Sequence, residues 1–311
     1  MTGSADTHSP KDNSVRIVSL LPSATEILFA IGAGDDLVGV THECDFPAQA
    51  ATLPVLTSSA LPAESDAAAI DRHVRSGIHQ GSSIYHLDAS LLERLAPDLI
   101  VTQELCDVCA VSYDRVSSAA RRMRGDTRIL ALEPSSFEEV LDTIRILGAS
   151  TGRETAAASV AAQLADAAER LRERARRELP NPPSLIFLEW SDPPFPPGHW
   201  TPDMLAMLGM RSAIDFPNAP ARAVTWEEIA EKEPAVIVIA PCGFDLPRAR
   251  RAIAELEHHA AWRQLRAVAE GRVIALDGNA YFNRPGVRLV EGAEKLLNAL
   301  VELGDARSRR A

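Results

Sequence analysis

Four cysteines carry the most specific chemical signal in this chain of 311 residues. Cys106 and Cys109 form a C-x-x-C, while Cys44 and Cys242 stand alone. Each follows a short apolar run. Cys44 comes after Leu37 to Val40, the Cys106/Cys109 pair after Asp98 to Val101, and Cys242 after Ala235 to Ile239. If these runs are parallel strands of an open α/β sheet, every thiol points to the crevice beyond the carboxyl ends, where such sheets bind ligands. Thiolates there suit zinc, iron or another soft metal. His42, Glu43, Asp45, Asp107 and His199 are the residues that could complete or tune such a site. The alternative is four unlinked thiols. A thioredoxin-like redox pair fits poorly, because the C-x-x-C follows an internal strand and lacks a helix-opening context.

Aromatic residues are the second signal. The three tyrosines, Tyr85, Tyr113 and Tyr281, fall in predicted loops. The segment after Leu185 to Leu188 runs from Glu189 to Trp200 and holds Trp190, Phe195, His199 and Trp200 among four prolines. A last loop, Gly278 to Gly286, adds Tyr281 and Phe282. Flat side chains on a proline-stiffened backbone suit a large, partly apolar ligand. The competing reading places them at the ends of ordinary cores. Ser23 and Thr25, at a predicted helix start, could receive an anionic group of a ligand, although capping is their default role. His258-His259 reads as surface. No G-x-S-x-G, Walker loop, H-E-x-x-H or post-strand G-x-G-x-x-G is present, so no familiar catalytic pattern is in place.

The elements that must hold these residues alternate between strand and helix. Arg16 to Leu21 predicts a strand, and Ser23 with Glu26 matches an S-x-x-E capping box for the helix that ends near Gly32. Strand Leu37 to Val40 follows, and then a polar insertion from Thr57 to Asp88. Helix Leu91 to Leu95, strand Leu99 to Val101, helix Arg115 to Met123, strand Arg128 to Leu132 and helix Phe137 to Gly148 complete the first block. Arg153 to Leu179 lacks internal Pro and Gly and spaces Val160, Leu164, Ala168, Leu171 and Ala175 at helical intervals. It predicts one continuous helix of roughly 40 Å at about 1.5 Å per residue. The second block repeats the first. Leu92 to Val101 has its counterpart in Ile229 to Val238, and Arg128 to Glu133 in Arg272 to Asp277.

The expected fold is therefore α/β, with two Rossmann-like lobes of parallel-rich sheets joined by one long helix. The expected boundaries are a tail at 1–13, a first lobe at 14–150, the helix at 151–180, a second lobe at 181–304 and a tail at 305–311. A ligand belongs between the lobes. The net charge of −11 argues against a nucleic-acid partner. The basic stretch Arg170 to Arg177 is interleaved with glutamates at helical spacing and reads as a solvated helix face. No run reaches membrane-spanning length. Met1 to Val15 lacks an apolar leader core, so the expectation is a cytoplasmic chain with reduced thiols.

With these residues in hand, the chain resembles a class III (helical-backbone) substrate-binding protein of the cobalamin and iron-siderophore type, in a signal-less cytoplasmic form. The resemblance rests on Arg16 to Leu28, on Val38-Gly39-Val40-Thr41 with Asp45-Phe46-Pro47, on Leu95 to Val101, on the long helix and on Glu233 to Val238. It covers about residues 15 to 304. It implies non-catalytic binding of a corrinoid (cobalamin-like) or related metal chelate, with Tyr85, Trp190, Phe195, Trp200, Tyr281 and Phe282 as walls; Ser23 and His199 join them as ligand-binding candidates on their own chemistry. The four cysteines are extra to the family pattern. They keep open a metalloenzyme or metal-handling protein with zinc or iron held by Cys44, Cys106, Cys109 and Cys242. Of the two acidic residues by which such proteins seat on an ABC permease, Glu227 is present and Ser90 occupies the other position, which weakens the case for docking.

Overall fold

A computed structural model describes residues 15–61, 65–79, 85–103, 116–118 and 126–308. Cys106, Cys109, Tyr113, the expected tail at 1–13 and most of the expected helix at 115–123 lie outside the described residues. Strands form where aliphatic residues run without helical period. The first sheet joins β1 (Ile17–Ser19), β2 (Leu37–Gly39), β5 (Leu99–Thr102) and β6 (Arg128–Ala131) in the order β2-β1-β5-β6. Its pairings are all parallel, with Ile17 opposite both Leu37 and Leu99, and Leu99 opposite Arg128. The second sheet has the order β13-β12-β7, from β7 (Leu185–Leu188), β12 (Val236–Ile239) and β13 (Val273–Ala275), again parallel. Every residue of β5, β7 and β12 is buried. That is why these strands read as unbroken apolar runs rather than as alternation.

Helices α1 (Pro22–Ala30), α2 (Ala67–His79), α3 (Ala89–Leu95) and α4 (Phe137–Thr151) belong to the first block. Ser136 caps α4, and Gly152 ends it at φ +67, a left-handed stop. Then comes α5 (Glu154–Glu178), 25 residues long. Ala157, Ala161, Leu164, Ala168, Leu171 and Ala175 are buried along it, three or four apart, on one face. Its last turns reach α12 (Leu289–Ser308), where Arg174 donates to Glu294 at 2.7 Å and to Asn298 at 2.6 Å. One hydrophobic cluster runs from α1 and α4 along α5 to β7, β12 and α12. The connector is thus a shared core element of both lobes. The second block adds α6 (Thr201–Met207), α7 (Trp226–Ala230), α8 (Leu246–Glu255), α9 (Ala260–Gln264), α10 (Arg266–Ala269) and α11 (Gly278–Tyr281).

Four expectations change. Helix α1 begins at Pro22, with Leu21 as N-cap and no side-chain cap. The S-x-x-E pattern is therefore no capping box, because proline at the first helical position moves the N-cap to Leu21 and puts Ser23 itself inside the helix. Within the polar insertion, where the sequence predicts no element, β3 (Thr57–Ser59) pairs antiparallel with β4 (Tyr85–Leu87), with α2 between them. The segment after β7 folds as the hairpin β8 (Trp190–Ser191) with β9 (Pro194–Phe195), followed by β10 (Gly198–His199) parallel to β11 (Phe216–Pro217). Finally, α12 continues to Ser308, past the expected end of ordered chain at 304.

Candidate functional site

The loops at the carboxyl ends of both sheets hold the site. After β2, the Thr41 hydroxyl accepts from the Glu43 N–H at 3.0 Å and closes a tight turn. Cys44 sits beneath it, 5% exposed, with its Sγ 3.1 Å from Thr25 Oγ1 and 3.5 Å from Thr41 Oγ1. Burial pushes this thiol up, with the two hydroxyls and Arg284 opposing. It is held as a thiol, not offered as a thiolate. His42 Nδ1 lies 2.7 Å from Thr57 Oγ1, and its ring tilts against Tyr85 with centroids 5.4 Å apart. Burial pushes its pKa down, against the pull of Glu43. Tyr85 belongs to β4 rather than to a loop, and its hydroxyl donates to Glu43 Oε1 at 3.1 Å.

After β7, Glu189 knots the hairpin. Its N–H donates to Phe195 O at 2.9 Å, its carbonyl accepts from Cys242 N–H at 3.0 Å, and its Oε2 accepts from Gly198 N–H at 3.1 Å. Half-buried Cys242 therefore has a backbone role in joining the loops after β7 and β12. Trp190 and Phe195 face each other across the hairpin. The Trp190 indole N–H donates to Asp192 O at 3.1 Å, and its ring meets Phe244 edge-on at 5.2 Å. His199 holds φ +48 and stacks on Trp200 at 5.6 Å. Burial pushes the His199 imidazole down. His258 is exposed, whereas half-buried His259 braces the hairpin from 3.1 Å off Asp192 Oδ2.

After β13, Asp277 caps α11. Gly278 approaches the carbonyls of Ala240 and Pro241 so closely that a Cβ would collide with both. Trp200 is half-buried and donates its indole N–H to Phe282 O at 2.8 Å, so it clamps this segment. Phe282 is a correction: its ring is wholly buried against Phe187, 5.1 Å away, and serves the core rather than the wall. Tyr281 lies beside Lys295 at 4.6 Å and Arg288 at 5.5 Å.

The two sets of loops meet. Arg284, from the second block, donates to Glu26 Oε1 at 3.2 Å, to Glu43 O at 2.9 Å and to Asp45 Oδ2 at 3.2 Å. Asn279 Nδ2 reaches Asp45 Oδ2 at 3.4 Å. Ser23 is also a correction. It is buried near Gly286 at this seam, not open at a helix start. Elsewhere Arg248 donates to Ser65 O at 2.9 Å, and Ala67 clusters with Phe244 and Ala252, with Ile70 and Trp190 against them. Beside α5, Phe137 N–H donates to Asp203 at 2.8 Å. These bridging residues had no local sequence signal, since their partners lie up to 258 residues away.

Among the described residues, no group of three or more His, Cys, Asp and Glu could hold a metal ion. With Cys44 buried against hydroxyls and Cys106 and Cys109 outside those residues, the zinc or iron centre gains no support. Glu227 is exposed in the first turn of α7, and the Ser90 hydroxyl is tied to Asp88 at 2.7 Å. No helix among the described residues is long and apolar enough to cross a membrane.

Two parallel sheets, one helix running through both cores and loops meeting at the carboxyl ends together define a helical-backbone substrate-binding protein. The chain belongs to the periplasmic binding protein family, whose model matches residues 17–280. It is 25% identical over 292 residues to the Bacillus subtilis (strain 168) protein YvrC, an uncharacterized ABC transporter substrate-binding lipoprotein, covering 93% of this chain and 81% of that one. It is 27% identical over 289 residues to the vitamin B12-binding protein of Vibrio cholerae, covering 92% and 88%. The fold is shared with the periplasmic heme-binding protein RhuT from Roseiflexus sp. RS-1 in its apo form. There the TM-score is 0.69 at 22% identity, over 93% of this chain and 98% of that one.

Proposed function

We propose that this protein binds a corrinoid or related planar metal chelate, without catalysis, in the crevice where the two sets of loops meet. The observation that carries the reading is the aromatic and imidazole content of the loops and short elements around that crevice. Tyr85 and His42 lie on the first lobe, and Trp190, Phe195, His199 and Tyr281 on the second. Large rings mounted on hairpins and short helices suit the broad faces of a chelate, with little ordering cost on binding. The relatives named for vitamin B12 and the structural neighbour named for heme support this class of ligand. Delivery to an ABC permease belongs to the same reading, with Glu227 exposed for docking and no second carboxylate at position 90.

The test is titration of the purified protein with cyanocobalamin and, separately, hemin, followed by absorption spectroscopy and calorimetry. Saturable one-to-one binding of either, with a dissociation constant in the micromolar range or tighter, is expected. Failure of both to bind removes the chelate reading.

A further inference from the structure

Arg284 is 6% exposed, and Glu26, whose carboxylate its guanidinium meets, is 3% exposed. Burying such charges far from water is costly unless every donor and acceptor is engaged. Here both terminal nitrogens of Arg284 and both oxygens of Glu26 are engaged, for the most part across the seam. Glu26, inside α1, accepts from Arg284 and also from Arg288 Nε at 2.9 Å. The second guanidinium nitrogen of Arg284 donates to Glu43 O, Asp45 Oδ2 and Asn279 Oδ1, the last at 3.0 Å. This nitrogen has no donor left for a ligand. The best-attested use of a buried ion network is to fix register, since its geometry tolerates little sliding, whereas its net contribution to stability is small.

We propose that Arg284 is a positioning residue for the chelate site: it pins the loop after β2 to the segment after β13 and sets the width of the crevice before any ligand arrives. This inference rests on the binding function proposed above. The mechanical path is short. The Glu43 carbonyl takes the Arg284 N–H, and the Glu43 carboxylate takes the Tyr85 hydroxyl, whose ring touches His42. Moving Arg284 therefore moves one wall. On the other side, Arg284 follows directly on the Tyr281–Asn283 turn that Trp200 clamps at Phe282. A crevice of preset width spares the ligand the cost of selecting it from an ensemble.

Two variants test this. Arg284→Met removes the fork. Asp45→Asn is milder, because the Asp45 side chain is 58% exposed and the change is confined to its links with Arg284 and Asn279. Interlobe distance is read by electron–electron resonance between genetically encoded spin labels at exposed positions 93 and 231, which leaves the native cysteines alone. The unliganded wild type should give one narrow distance distribution. Both folded variants should broaden it, and affinity for cyanocobalamin or hemin should fall about tenfold with an unchanged spectrum at saturation. Unaltered distances in both variants would overturn the proposal, as would broadened distances with undiminished affinity in the chelate that the wild type binds. If the wild type binds neither probe, the chelate reading fails, and the distance measurement still decides whether Arg284 sets the spacing.

Discussion

At the residue scale, the thiols and imidazoles have taken on roles that their spacing did not reveal. Cys44 is buried and held by Thr25 and Thr41, with its pKa pushed up by burial. Since the thiolate is the reactive species, iodoacetamide should modify Cys242 in the native protein and spare Cys44 until denaturant is added. Peptide mass mapping reads the outcome, and native labelling of Cys44 at the rate of Cys242 would contradict the structure. His199 titrates in the opposite sense to an ion-paired histidine. Burial depresses its folded pKa below the ordinary 6.5, so the unfolded chain binds more protons as pH falls past that value. Stability from this group is therefore complete above about pH 6.5 and declines below it. Denaturant midpoints measured from pH 7.5 down to 5 should drop more steeply for the wild type than for His199→Asn, which keeps a residue tolerant of φ +48. Parallel profiles would remove His199 from the account.

At the element scale, the long strands and helices were legible and the short connections were not. Runs such as Val236 to Ile239 and the Pro-free stretch around Ala168 carry their structure in local pattern, because burial on both faces, or on one helical face, dictates composition. The antiparallel pairs β3–β4 and β8–β9 have two or three residues per strand, too short to show a period. Ser23 and Glu26 imitated a capping box because the pattern cannot register that the helix starts at Pro22, with its N-cap two residues before Ser23. Phe282 imitated a wall aromatic because its burial depends on Phe187, 95 positions earlier in the chain. From sequence, Asp45 reads as a metal-tuning candidate and Arg284 only as a charge in a loop, because nothing local shows that they pair. Gly278 sits at the most exacting of these connections, under the carbonyls of Ala240 and Pro241. Backbone oxygens cannot swing aside as a side chain can. Gly278→Ala should therefore displace α11 and cost about 1–3 kcal/mol, read as a lowered denaturant midpoint. Wild-type stability in that variant would mean that the two segments are not in contact.

At the scale of the whole molecule, the connector decides how far the lobes can move. Helices bend sharply at proline, at glycine or at disrupted hydrogen bonds, and α5 contains none of these residues over its 25 positions. It is also buried along one face in the cluster that both sheets share, so rotating one lobe on the other would tear core contacts. Together with the Phe137–Asp203 and Arg174–Glu294 links beside it, this predicts a small change on ligand binding. The radius of gyration from small-angle scattering should stay constant when cyanocobalamin or hemin is added to saturation. A clear contraction would show a flexible hinge instead. The converse variant is Ala168→Pro, placed midway between the α4 end of the helix and its α12 end. Proline there removes the hydrogen bond to the Leu164 carbonyl and clashes with it, at a cost of about 3 kcal/mol or more. Provided circular dichroism confirms that the variant is folded, its scattering should become ligand-dependent where that of the wild type is not. Identical, ligand-insensitive curves for both proteins would show that the rigidity does not depend on an unbroken helix.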